Sequence, residues 1–128
     1  MWMGNALSTA FPENNREPDP RLIIKFGGRV IFILIDEIDW IEADANYVRL
    51  HVNGRESYLF RKTISKIAAE LDSSRFVRIH RSYIVNVSRI RELQSCNSGE
   101  FIVSLRDGKE LPCSRTYRRA LRSLYRPR

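Results

Sequence analysis

Between Leu22 and Cys113 the chain is cut by turn dipeptides into apolar pieces of about five residues, and this constrains its fold more than any other feature. Gly27-Gly28-Arg29 separates Leu22–Phe26 from Val30–Ile35, Asn53-Gly54 separates Tyr47–Val52 from Glu56–Phe60, and Asp107-Gly108 separates Phe101–Leu105 from Glu110–Cys113. Such dipeptides tolerate positive φ and close β-hairpins, so each pair reads as adjacent antiparallel strands. Within Tyr47–Val52, Val48, Leu50 and Val52 alternate with Tyr47, Arg49 and His51, as in a strand with one polar face. Ile38–Glu42, Phe76–Ile79, Tyr83–Val85 and Ile90–Leu93 complete the set of short strands.

The period changes twice. Ile64, Ile67, Ala68 and Leu71 recur at helical spacing, which predicts a short amphipathic helix over Thr63–Leu71 with Thr63 as N-cap. Ser114–Leu124 reads as a C-terminal helix capped by Ser114, with Tyr117, Leu121 and Leu124 on one face and Arg115, Arg118, Arg119 and Arg122 around the others. Residues 1–20 carry Pro12, Pro18 and Pro20 among polar residues and no apolar period, and read as a linker or disordered tail; the domain is expected over residues 21–126.

Charge narrows the function. Residues 75–128 hold thirteen basic side chains against Glu92, Glu100, Asp107 and Glu110, a net of +9, whereas residues 21–74 balance eight against eight. A one-sided excess of this size marks an interaction face for a polyanion. The two histidines, His51 and His80, lie in no metal-ligand spacing, and no nucleophile elbow or phosphate-binding loop is present, so neither catalysis, a metal, a cofactor nor a small-molecule substrate is expected. His51 points outward from its strand and reads as a surface residue. The carboxylates of residues 36–44 read as a solvated sheet edge. Cys96 and Cys113 match no zinc or redox motif and read as half-buried, reduced thiols. The longest apolar run is too short to span a bilayer and the N-terminus lacks a signal-peptide form, which predicts a cytoplasmic protein.

Arg75–Ile90 is the informative stretch. Phe76, Ile79, Ile84, Val85 and Val87 are core-like, yet His80-Arg81-Ser82 interrupts them. A strand that leaves the core for three polar residues and returns forms a loop or bulge. Taken singly, Arg78 and Arg81 fit internal ion pairs and His80 fits packing against a neighbour. Taken together, beside the basic half of the chain, they fit contacts to base edges and phosphates. Ser114-Arg115-Thr116-Tyr117-Arg118-Arg119 is the second such segment, combining a helix start with arginines, and it equally fits an ordinary basic helix packed on the sheet by Tyr117 and Leu121. The same basic face also suits an acidic protein or an anionic membrane; DNA readout differs in requiring Arg81 and Arg115 to be exposed and convergent.

Ile38–Leu50, with Glu42-Ala-Asp-Ala-Asn-Tyr47 at its centre, Arg75–Asn86 and Pro112–Tyr117 resemble three ordered motif blocks of the LytTR-type DNA-binding domain of bacterial response regulators. The resemblance covers Leu22 to Tyr125. It implies an elongated, mainly β fold of small antiparallel sheets, with a short helix between them and a C-terminal helix, and DNA contacts made from loops. By position it assigns DNA contact to Asn46 and Tyr47, to Arg78, His80, Arg81 and Ser82, and to Ser114, Arg115, Tyr117 and Arg118. Asn86 also matches but reads as a turn residue. The resemblance further implies a transcription regulator on double-stranded DNA, paired repeats and two copies per site. Family members usually carry a receiver or membrane segment in front; the Pro-rich stub here implies a stand-alone regulator or a fragment lacking its signalling domain.

Overall fold

A computed structural model describes residues 21–126; the expected tail over residues 1–20 lies outside them. The chain divides into two units, one ending at Ile38 and one beginning at Asp39. In the first, β1 (Arg21–Phe26) pairs antiparallel with β2 (Arg29–Leu34), and Gly27 and Gly28 take φ of 53° and 79° in the turn, the sign a two-residue hairpin of this hand requires. Leu22, Ile24 and Ile33 are buried, while Val30, Phe32 and Leu34, on the alternate positions of β2, are exposed.

The second unit is built on a five-stranded antiparallel sheet in the order β5-β4-β3-β7-β6, with β3 over Ile38–Asp44, β4 over Tyr47–Val52, β5 over Glu56–Phe60, β6 over Phe76–His80 and β7 over Tyr83–Asn86. A three-stranded sheet orders β8 (Ile90–Ser95), β9 (Phe101–Leu105) and β10 (Glu110–Cys113) as β10-β9-β8. Trp40, Val85 and Val77 are register partners across β3, β7 and β6, so they share a face; they form one core with Phe101, Val103 and Leu105 of β9, Leu111 and Cys113 of β10, and Leu121. On the opposite face Ile41 and Ile84 are partners and both are buried. Burying two faces explains the adjacent apolar pairs Trp40-Ile41 in β3 and Ile84-Val85 in β7, whereas β4 alternates.

The helix α1 covers Ile64–Glu70, and the Thr63 hydroxyl accepts from the Lys66 amide at 3.3 Å, the expected cap. Other expectations are corrected. The C-terminal segment is not one helix: Arg115–Tyr117 forms a 3-10 turn and α2 has only five residues, Arg118–Arg122. Ser114 stands before the 3-10 turn but makes no side-chain cap; its amide donates to Ile79 O at 2.9 Å. Leu121 is buried, but Leu124 of the expected apolar face is exposed. The β4–β5 loop has three residues, since Val52 pairs with Glu56, although Asn53 and Gly54 do take positive φ.

The acidic run of residues 36–44 is not uniformly solvated either. Asp39 is 6% exposed, accepts from the Gly54 amide and pairs with Arg89 at 2.9 Å. His51 lies on the outer face of β4 as read, but it is no free surface residue. Its ring stacks on Trp40 at 3.8 Å and Nε2 lies 3.0 Å from the Glu42 carboxylate. Cys113 is fully buried and Cys96 is exposed, so neither is half-buried. Asn86 is the turn residue expected of it, its side chain accepting from the Ser88 amide at 3.0 Å.

Candidate nucleic-acid interface

Sheet register brings the three predicted segments together. β3 ends at Asp44 and β7 starts at Tyr83, and Glu42 is the register partner of Tyr83. The Ala43 amide donates to Ser82 O at 2.9 Å. The β3–β4 turn at Ala45-Asn46 and the β6–β7 turn at Arg81-Ser82 therefore lie at the same end of the five-stranded sheet. The Ser114–Ile79 backbone bond brings the third segment to that end too.

At the first turn, Ala45 takes φ of 58°, a conformation costly for a residue with a Cβ. Asn46 and Tyr47 are exposed. Arg61, just past β5, places its guanidinium 5.8 Å from the Tyr47 ring centroid. The sequence reading missed Arg61. The signal was available: once Val48 is matched with Phe60, Arg61 falls beside Tyr47.

At the second, the β6–β7 register shifts between Arg78 and His80, the irregularity that the polar interruption predicts. Arg81 is exposed and Ser82 half-buried. His80 is half-buried, and its Nδ1 accepts from the Ser82 amide at 3.0 Å. In the neutral ring this leaves the proton on Nε2 as a donor. Arg78 is turned differently. Its Nε donates to His80 O at 3.2 Å and one terminal nitrogen donates to Arg81 O at 2.6 Å. Its Cζ lies 5.5 Å from the Tyr117 ring centroid.

In the third, Arg115 is exposed, whereas Ser114, Tyr117 and Arg118 are half-buried. Arg118 donates to Gly99 O at 3.2 Å. Gly99 has φ of 92°, and a Cβ there would stand 3.2 Å from Arg115 Cδ and 3.0 Å from an Arg118 nitrogen. A glycine at this loop thus gives both arginine side chains room to cross it. Of the basic residues singled out in advance, Arg81 and Arg115 face outward, while Arg78 and Arg118 donate to backbone.

These features define a class: a β-sheet domain whose basic surface is built from turns at one sheet end, with no long recognition helix among the described residues. The sequence model of the LytTr DNA-binding domain matches residues 28–126, and the chain belongs to that family. It is 27% identical over 112 residues to the sensory transduction protein LytT of Bacillus subtilis, covering 88% of this chain and 46% of LytT. It is 32% identical over 118 residues to the transcriptional regulatory protein YpdB of Escherichia coli K12, covering 91% of this chain and 48% of YpdB. The chain therefore spans about half the length of these relatives. In fold it is similar to the LytTr DNA-binding domain of a methyl-accepting/DNA response regulator from Bacillus cereus, with a TM-score of 0.72 at 22% identity over 81% of this chain and 94% of that one. Among the described residues no helix is long and apolar enough to cross a membrane.

Proposed function

We propose that the chain reads double-stranded DNA by sequence as the effector part of a bacterial transcription regulator. The turns at Asn46–Tyr47 and His80–Ser82 and the segment Ser114–Tyr117 form the reading surface, with Arg78 and Arg118 holding loops behind it. The observation that carries this is the convergence of three loop segments at one sheet end with Arg81 and Arg115 both exposed. A diffuse basic face, sufficient for an anionic membrane, has no need of such convergence. Arg81 is the principal base reader: a guanidinium presents the fork of donors that matches guanine O6 and N7. Arg115 is the second. Asn46 offers an amide suited to an adenine edge, and His80 Nε2–H and Ser82 reach base or phosphate. The regulatory names of LytT and YpdB support the regulator role. The DNA site consists of paired repeats with one copy of the protein on each.

Footprinting of genomic fragments with the purified protein gives the site, and titration at fixed DNA gives the stoichiometry. On that site Arg81→Ala should lose about 1–3 kcal/mol, with a much smaller loss on random DNA and relaxed preference at one base pair. Equal losses on both DNAs would make Arg81 a phosphate anchor. Unchanged binding with a lowered melting temperature would remove it from the interface.

A further inference from the structure

We propose that Arg78 is a positioning residue: its guanidinium fixes the shape of the 80–82 turn and ties that turn to the 114–118 segment, and it makes no contact with DNA itself. The inference rests on the proposed DNA-reading role of the turn and adds to it the device that holds the turn in reading geometry.

A bulge removes ladder partners from the backbone it displaces. The register of β6 against β7 slips between Arg78 and His80; at the bulge Ile79 O accepts from the Ser114 amide, and Arg81 lies in the turn beyond the last ladder pair, His80 with Tyr83. Arg78 reaches round this bulge and donates to His80 O at 3.2 Å and to Arg81 O at 2.6 Å from one rigid group. Pinning two successive carbonyls fixes the peptide planes on either side of Arg81, and so the direction in which the Arg81 side chain leaves the sheet. The same guanidinium reaches Ser65 Oγ at 3.4 Å, on the first turn of α1, and lies over the Tyr117 ring. One planar cation thus touches the bulged turn, α1 and the third segment. Only an arginine combines several donors in a fixed fork with a flat face that stacks on an aromatic ring. The bonds to His80 O, Arg81 O and Ser65 Oγ engage all three guanidinium nitrogens, so swinging the group out to a phosphate would release the turn it holds.

Lysine separates the two roles. It serves a phosphate well as a point charge, but it cannot reproduce the fork or the stack. Affinities of the full chain and of Arg78→Lys for the footprinted site and for random DNA, each across a salt series, make the comparison. We expect Arg78→Lys to lose about tenfold on the specific site, within the range of one good base contact. Random-DNA affinity should stay within about twofold and the salt slope should not change, because the charge is retained. Amide exchange over residues 80–83 in the free protein should quicken. Wild-type behaviour on both DNAs, or equal losses on both, overturns the proposal.

If the lysine variant does not fold, the wild-type protein answers. The Arg78 Nε–H resonance should exchange slowly without DNA and hold its shift when the specific site is added, while those of Arg81 and Arg115 move. An Arg78 resonance that exchanges at solvent rate, or that shifts with DNA as Arg81 does, overturns the proposal equally. If the wild-type protein does not prefer the footprinted site to random DNA, the DNA-reading proposal fails. The exchange measurements on free protein then still test the clamp alone.

Discussion

Cys113 shows how burial rewrites the chemistry of one side chain. Its thiol is fully buried and donates weakly to Ser114 O at 3.5 Å. Burial pushes the pKa up from 9.0 to about 11; nearby Arg118 pulls the other way, and Glu100 adds to the rise. The folded state therefore holds this proton more tightly than the unfolded chain does. That contribution to stability is complete below about pH 9 and is lost as the pH rises through about 11. Chemical denaturation at pH 8 and pH 11 should show wild type losing stability that Cys113→Ala does not lose. At neutral pH a thiol reagent should modify exposed Cys96 at once and Cys113 only on unfolding. Period two along Glu110-Leu111-Pro112-Cys113 already put Cys113 on the same face as Leu111. What no single strand could reveal is the cover over a face. His51 alternates outward on β4 and reads as surface, yet Trp40 of the neighbouring strand closes over it, and that depends on register between strands.

Elements were most legible where local chemistry decides them. Thr63 at the start of an i, i+3, i+4, i+7 pattern is such a case, because the cap and the apolar stripe both lie within nine residues. α1 has only seven residues, so losing one of its N-terminal bonds is a large fraction of its own stability. Thr63→Ala should cost about 1 kcal/mol in denaturant melts and Thr63→Ser should restore most of it. Neither should change DNA affinity among folded molecules, since Thr63 lies outside the three segments. A fall in specific affinity without a fall in stability would instead put the start of α1 in the interface. The C-terminal segment shows the opposite case. Ser114 has the composition of a cap, yet its side chain makes none; the chain enters α2 through a 3-10 turn, and the Ser114 amide joins the segment to Ile79 on β6. That partner is 35 positions away, beyond the reach of any capping pattern. The convergence of the three segments was likewise legible only through the resemblance, because it is set by the β3–β7 register.

Over the whole molecule, the sum of charge could be read in advance but not its allocation. Residues 75–128 carry thirteen basic groups, and the structure commits several of them internally: Arg89 to buried Asp39, Arg118 to Gly99 O, Arg78 to the 80–82 turn. These pairings span up to 50 positions, so sequence alone counts every arginine as available. If about five of the remaining cations meet phosphates, log K should fall against log salt with a slope of roughly −4 to −5. Between 50 and 200 mM salt this weakens binding by roughly 250- to 1,000-fold. The slope also tests the allocation. Removing the charge of exposed Arg115 or Arg81 should flatten it by roughly one if that residue meets a phosphate, and should leave it unchanged if the contact is to a base edge alone. Arg118→Gln should barely change it, because that guanidinium is held against the β8–β9 loop. A slope near zero for the wild-type chain would mean that no phosphates are neutralised, and the DNA-reading surface proposed at this sheet end could not stand.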